Sequence, residues 1–159
     1  MDPLLLAAWG LPGLFLSAFL AGSIVPLPSE AVLVALVGGG LSLAPLVAVA
    51  SLGNLLGATT LYWLGARLAA GRGGAASAWL ERRLARDPRA FERARARTRR
   101  WGAPLLLLSW LPVAGDLLVI AAGVAGVRWL PFLLFTGAGK TLRFCAVATA
   151  AAAAIATSN

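Results

Sequence analysis

The chain has 159 residues, 60% of them A, V, I, L, M, F, W, Y or C, with 18 glycines besides; a soluble domain has roughly 45–50% with glycine included. So much apolar content exceeds what one core of this size can hide, so the class is a polytopic membrane protein. The absence of histidine and the single cysteine, Cys145, exclude zinc sites, Cys-His nucleophiles and histidine acid–base catalysis. No phosphate-cradling glycine loop follows a plausible strand, which argues against nucleotide-driven pumping.

The Met-Asp-Pro start lacks a basic n-region, so the first hydrophobic stretch is expected to stay in the mature protein. Residues 3–29 carry no charge, and Pro12-Gly13 and Pro26-Leu27-Pro28 bracket an apolar arm over 14–25. A second arm covers 30–40. Arms of half a bilayer's depth joined by a Pro-rich break suggest a re-entrant hairpin; one complete tilted span over 4–25 is the alternative. Residues 31–66 are also uncharged and as one helix would run about 54 Å, far beyond a roughly 30 Å hydrocarbon core. The break falls at Gly38-Gly39-Gly40 and Pro45, leaving 46–66 as a span.

The net charge of +8 is carried entirely by the next segment. Eleven of the fourteen basic residues lie between Arg67 and Arg100, with Glu81, Asp87 and Glu92 among them. A basic block between apolar runs reads as a cytoplasmic loop, not a nucleic-acid surface, with both termini outside. Ser77 is placed to cap a helix starting near Ala78, and Asp87-Pro88 to open a second over about 88–100. Leu80, Leu84, Phe91, Ala94 and Thr98 share helical spacing, opposite arginines. That pattern fits an amphipathic pair lying on anionic headgroups, or a solvated basic loop. Residues 103–115 then lead to Asp116, and a run beyond Pro131 reaches about Ala156. Trp9, Trp63, Trp101, Trp110 and Trp129 read as interface anchors.

An offset of 86 residues superposes Pro26 on Pro112, Glu30 on Asp116, Gly40 on Gly126, Pro45 on Pro131 and Gly53 on Gly139. The repeats run over about 14–67 and 103–156, with the basic loop 68–100 between them. If each hairpin returns to its own side, each copy crosses once and the two copies are inverted, as in secondary transporters. The expected fold is an all-α polytopic membrane protein. It would be an inverted repeat of two re-entrant helical hairpins, each followed by a transmembrane helix, with an amphipathic Arg-rich loop.

Four ionisable residues fall where lipid should be: Glu30, Asp116, Lys140 and Arg143. Each costs about 2.5–3.5 kcal/mol near a helix centre when unpaired. Together they sum to zero, so they can neutralise one another in a polar cavity. Lys140 and Arg143 share a helix face and could hold a phosphate headgroup. Glu30 and Asp116 follow the hairpin breaks at Pro26, Pro28 and Pro112, and could serve as displaced counter-ions or proton acceptors. Asn54, the repeat mate of Lys140, and Ser29 are candidate cavity-lining groups. A structural salt-bridge cluster is the competing reading.

Pro26-Leu27-Pro28-Ser29-Glu30, Ala50-Ser51-Leu52-Gly53-Asn54 and Leu64-Gly65-Ala66-Arg67 resemble the DedA family, whose fold is also called the VTT domain. Leu108 through Asp116 and Gly139-Lys140-Thr141-Leu142-Arg143 resemble its short YqaA-like branch, and the likeness covers about 14–150. The resemblance implies a multi-pass protein of the bacterial inner membrane that translocates a phosphate-headed lipid, with proton coupling suggested for some members. Two departures matter. Many members carry a further glutamate where this chain has Leu20-Ala21-Gly22, and arginines flanking the second hairpin's proline where it has Ser109 and Gly115. The leading expectation is therefore a flippase or scramblase that is not an enzyme and needs no cofactor or metal. Its partners are membrane lipids, with anionic headgroups at the Arg-rich loop, no nucleic acid, and self-association left open. An ion-coupled small-molecule or cation transporter, or a structural envelope protein, are the alternatives.

Overall fold

The computed structural model describes residues 3–23, 28–72, 74–111 and 114–158. All regular structure among them is helical. The order is α1 (Pro3–Gly22), α2 (Ser29–Gly38), α3 (Leu43–Ala69), α4 (Ala75–Leu84), α5 (Pro88–Trp101), a 3-10 segment (Ala103–Trp110), α6 (Ala114–Val124) and α7 (Trp129–Ser158). Helices α3 and α7 are long and apolar enough to cross a membrane. At 1.5 Å per residue they are about 40 and 45 Å long, whereas α2 and α6 reach only about 15–17 Å.

The chain divides into two compact units, Met1–Gly57 with Lys140–Asn159, and Ala58–Gly139. In the first, Leu14 and Ala18 of α1, Leu33 of α2, Leu46 and Ala50 of α3, and Phe144 and Ala148 of α7 form one buried cluster. Helix association in lipid lacks a water-driven hydrophobic term, so close backbone approach matters more. The Gly53-Asn54-Leu55-Leu56-Gly57 stretch supplies that approach. A Cβ on Gly57 would strike the Phe19 carbonyl and lie 3.0 Å from the Gly22 Cα of α1. In the second unit, Leu61 and Tyr62 of α3, Leu80 of α4, Leu106 of the 3-10 segment, Val119 through Ala122 of α6, and Phe132 of α7 build the core. The Tyr62 ring stacks on Phe132 at 4.3 Å, and its hydroxyl donates to the Val127 carbonyl.

Two helix ends close identically. After α2, the amides of Gly40 and Leu41 donate to the carbonyls of Val37 and Leu36 at 3.0 and 3.3 Å. After α6, those of Gly126 and Val127 donate to Gly123 and Ala122 at 3.2 and 3.0 Å. Each is a six-residue closure whose turning residue is left-handed, Gly40 at φ 85° and Gly126 at φ 68°, which only glycine adopts without steric cost. The ends of α2 and α6, and the starts of α3 and α7, are likewise 86 residues apart.

The structure corrects the sequence reading at several points. Helix α1 runs through Pro12, so no arm begins at 14. A proline removes one backbone bond, but in an apolar surround ending the helix would orphan several, so the helix continues. Pro28 does flank the start of α2 as its N-cap residue; Pro26 and Pro112 lie outside the described residues, as does the Trp9 side chain. Ser77 is not a cap. Helix α4 starts at Ala75 behind Gly74, and the Ser77 hydroxyl donates to the Arg72 carbonyl at 3.0 Å. Asp87 does cap α5, its carboxylate accepting from the Ala90 amide at 2.9 Å. Leu80, Leu84 and Ala94 are buried in the second unit's core with Phe91 packed against it, and Thr98 is buried as well. The apolar face of the α4–α5 pair thus packs on the protein's own core.

Candidate functional site

Glu30 occupies the first turn of α2, where four backbone amides lack helical partners and the helix dipole favours an anion. Lys140 and Arg143 sit mid-way along α7, three residues apart and on one side. Arg143 donates through Nη2 to Oε1 of Glu30, and the two side chains are 29% and 34% exposed. Lys140 is buried, at 4% exposure, and its Nζ donates to Oδ1 of Asn54 at 2.5 Å. The amide nitrogen of Asn54 in turn donates to the Ala18 carbonyl of α1 at 3.0 Å. An ammonium can only donate, so it fixes the amide's orientation, and the amide relays the charge to a backbone dipole. Gly53 and Gly57 bracket Asn54 and bring α1 close enough for that bond.

Two buried hydroxyls lie near these residues in the chain. Ser29, beside Glu30, is buried at the head of α2. Ser51, one turn before Asn54, is also buried, and its Oγ finds no hydrogen-bond partner among the described residues, which sequence reasoning missed. Among the described residues of the first unit the charged side chains are Glu30, Lys140 and Arg143, one positive charge in excess.

Asp116 belongs to the second unit. It lies in the first turn of α6, and Arg83 of α4 donates to its Oδ2 at 3.2 Å, the side chains being 25% and 23% exposed. The Arg83 guanidinium also lies 5.4 Å from the centre of the Trp79 ring. Sequence reasoning did not single out Arg83. The available signal was its position between Leu80 and Leu84, at the edge of the buried stripe. The structure therefore joins Glu30, Lys140, Arg143 and Asn54 within one unit, and gives Asp116 an unforeseen partner in the other.

A family model described as the VTT domain matches residues 11–153. The chain belongs to the VTT-domain family, the DedA family. Among the relatives of this VTT-domain protein is the inner membrane protein YqaA of Escherichia coli strain K12. It is 40% identical over 144 residues, covering 90% of this chain and 92% of the relative. The protein of that name from Shigella flexneri matches to the same extent. An uncharacterized protein of Haemophilus influenzae is 34% identical over 144 residues, covering 84% of this chain and 82% of its own. No solved structure matches. Family, relatives and two span-length apolar helices together make this a membrane protein of the VTT type.

Proposed function

We propose that this VTT-domain protein moves a phosphate-headed lipid across the bilayer, as a flippase or scramblase, through the Glu30–Arg143–Lys140–Asn54 group. The observation that carries the reading is an embedded positive excess lined with polar groups. A charge in the membrane interior is expensive and usually marks a substrate or ion path. A phosphate entering this group would neutralise the excess charge, with Arg143 binding through its fork and Lys140 as a point charge. Glu30 would be displaced from Arg143 and become the proton-accepting group, with Asp116 as its counterpart on α6. The buried Ser51 hydroxyl offers a further donor to a phosphate oxygen. No catalytic step or cofactor enters this reading.

The architecture we propose for it is an inverted repeat within a single domain. Support comes from the matching helix ends at an offset of 86 and from the half-depth lengths of α2 and α6, as returning arms of re-entrant hairpins have. A further support is that Asn54 and Lys140, 86 residues apart, touch one another. Equivalent residues meet in that way on a pseudo-two-fold axis. With the arginine block on the cytoplasmic side the chain is multi-pass, in the bacterial inner membrane, and both termini face outward. In a variant with Cys145 replaced, single cysteines at 3 and 157 should react with an impermeant thiol reagent on intact cells, and one at 90 should not. Labelling at 90 alone would overturn the orientation.

The function is tested by reconstitution into vesicles holding a fluorescent phosphate-headed lipid in both leaflets. The protein is expected to make the inner-leaflet label accessible to an external quencher. Unchanged lipid accessibility together with accelerated cation flux would replace this reading with ion-coupled solute transport.

A further inference from the structure

The second unit contains a cleft of about 230 Å³ between α5, the 3-10 segment and α6. Its apolar lining includes Leu105 and Leu108 of the 3-10 segment and Leu117 and Leu118 of α6. Its α5 side carries Arg93 and Arg97, four residues apart and hence on one helix face. Neither arginine forms an ion pair among the described residues, whereas Glu92 of the same helix is taken by Arg95 at 3.6 Å. Large apolar groups stand uncovered just before the 3-10 segment and at its end, Trp101 at 62% and Trp110 at 40% exposure. Such tryptophans belong at a membrane–water interface, so the cleft stands at headgroup level.

We propose that this cleft is a binding site for one anionic phospholipid. Arg93 and Arg97 would take the phosphate and the leucines the first part of one acyl chain. Charge and shape select this occupant together. Two unpaired guanidiniums on one face match a phosphate in geometry and sign. A leucine lining gives no gain to a free phosphate, but does to an attached hydrocarbon chain. The volume points the same way. Sites that enclose a whole small molecule run to about 300–1,000 Å³, so this cleft holds only a segment of a molecule whose remainder stays in the bilayer. The site stands independently of the transport reading, since it uses none of the embedded charges.

The test is a titration of the full chain in neutral detergent with phosphatidylglycerol and with phosphatidylcholine of the same chains, followed by native mass spectrometry. One phosphatidylglycerol is expected to be retained in preference to phosphatidylcholine. Its affinity should fall about tenfold or more in the double variant Arg93→Gln/Arg97→Gln. The double variant Arg89→Gln/Arg99→Gln removes equal charge from α5 outside the cleft and should bind as the wild type does. Ala114→Trp, which fills the cleft from an exposed position, should also weaken binding with every arginine in place. Equal losses in both arginine pairs would show diffuse attraction to a basic surface and overturn the site. Undiminished binding in Ala114→Trp, or full displacement of the lipid by inorganic phosphate, would overturn the acyl-chain contact.

Discussion

Valine at Gly57 is expected to abolish recovery of folded protein, whereas valine at Gly13 should be tolerated. Both glycines lie inside helices, so intrinsic propensity changes alike at the two positions. Their surroundings differ. A Cβ at Gly13 meets nothing within 4 Å, while one at Gly57 meets the Phe19 carbonyl and the Gly22 backbone. A rigid backbone neighbour cannot yield as a side-chain tip can, so α1 and α3 must separate. Separation also breaks the Asn54–Ala18 hydrogen bond. Overpacking a well-fitted contact costs about 1–3 kcal/mol, and more when backbone must move. Yield after detergent extraction and the thermal midpoint check this: Gly57→Val should fail on both, and Gly13→Val should resemble the wild type.

The second large effect concerns Lys140. Asn54→Leu removes the neutral acceptor of a buried ammonium, and a hydrogen bond to a charged group contributes about 1.5–3 kcal/mol. Lys140→Met instead leaves the Asn54 carbonyl oxygen without its donor, at about 1–3 kcal/mol. Replacing both by apolar side chains of similar size removes the donor and the acceptor of this bond together. The double variant should therefore be more stable than the sum of the single losses implies, with a coupling of at least about 0.5 kcal/mol. Thermal midpoints of the four proteins in one detergent give that coupling directly. Strict additivity would mean that the contact contributes nothing to stability.

Much of the fold was legible because proline, glycine and charge are scarce landmarks in so apolar a chain. The uncharged run 31–66 had to break, and the three glycines Gly38 to Gly40 followed by Pro45 marked the place. Asp87-Pro88 opened α5 because a cap acts locally and needs no partner beyond the next turn. Pro12 misled for the opposite reason. Its local penalty is set against the cost of orphaned backbone in an apolar surround, and a window of sequence does not contain that second term. The destination of the Leu80–Leu84–Ala94–Thr98 stripe was likewise not readable. Periodicity reveals an apolar face, but lipid and protein cover such a face equally well.

The candidate site was legible as a set of residue types, less so as a set of pairs. Glu30, Lys140 and Arg143 stood out because a charge in an apolar segment needs compensation, and Asn54 because the repeat aligned it with Lys140. That Arg143 takes Glu30, while Arg83 of the basic loop takes Asp116, depends on contacts 113 and 33 residues apart in the chain. Helical spacing says nothing about contacts so distant.

The most direct test of the central claim uses the double variant Asn54→Leu/Lys140→Met in the vesicle assay. It keeps the Glu30–Arg143 pair but removes the excess charge carried by the described residues of the first unit, so it separates folding from phosphate recognition. Movement of the labelled phosphate-headed lipid should fall to the rate of protein-free vesicles, with a thermal midpoint above the one that the two single losses together imply. A double variant that is equally stable and moves the lipid at the wild-type rate would contradict the account, and would leave Lys140 and Asn54 as packing alone.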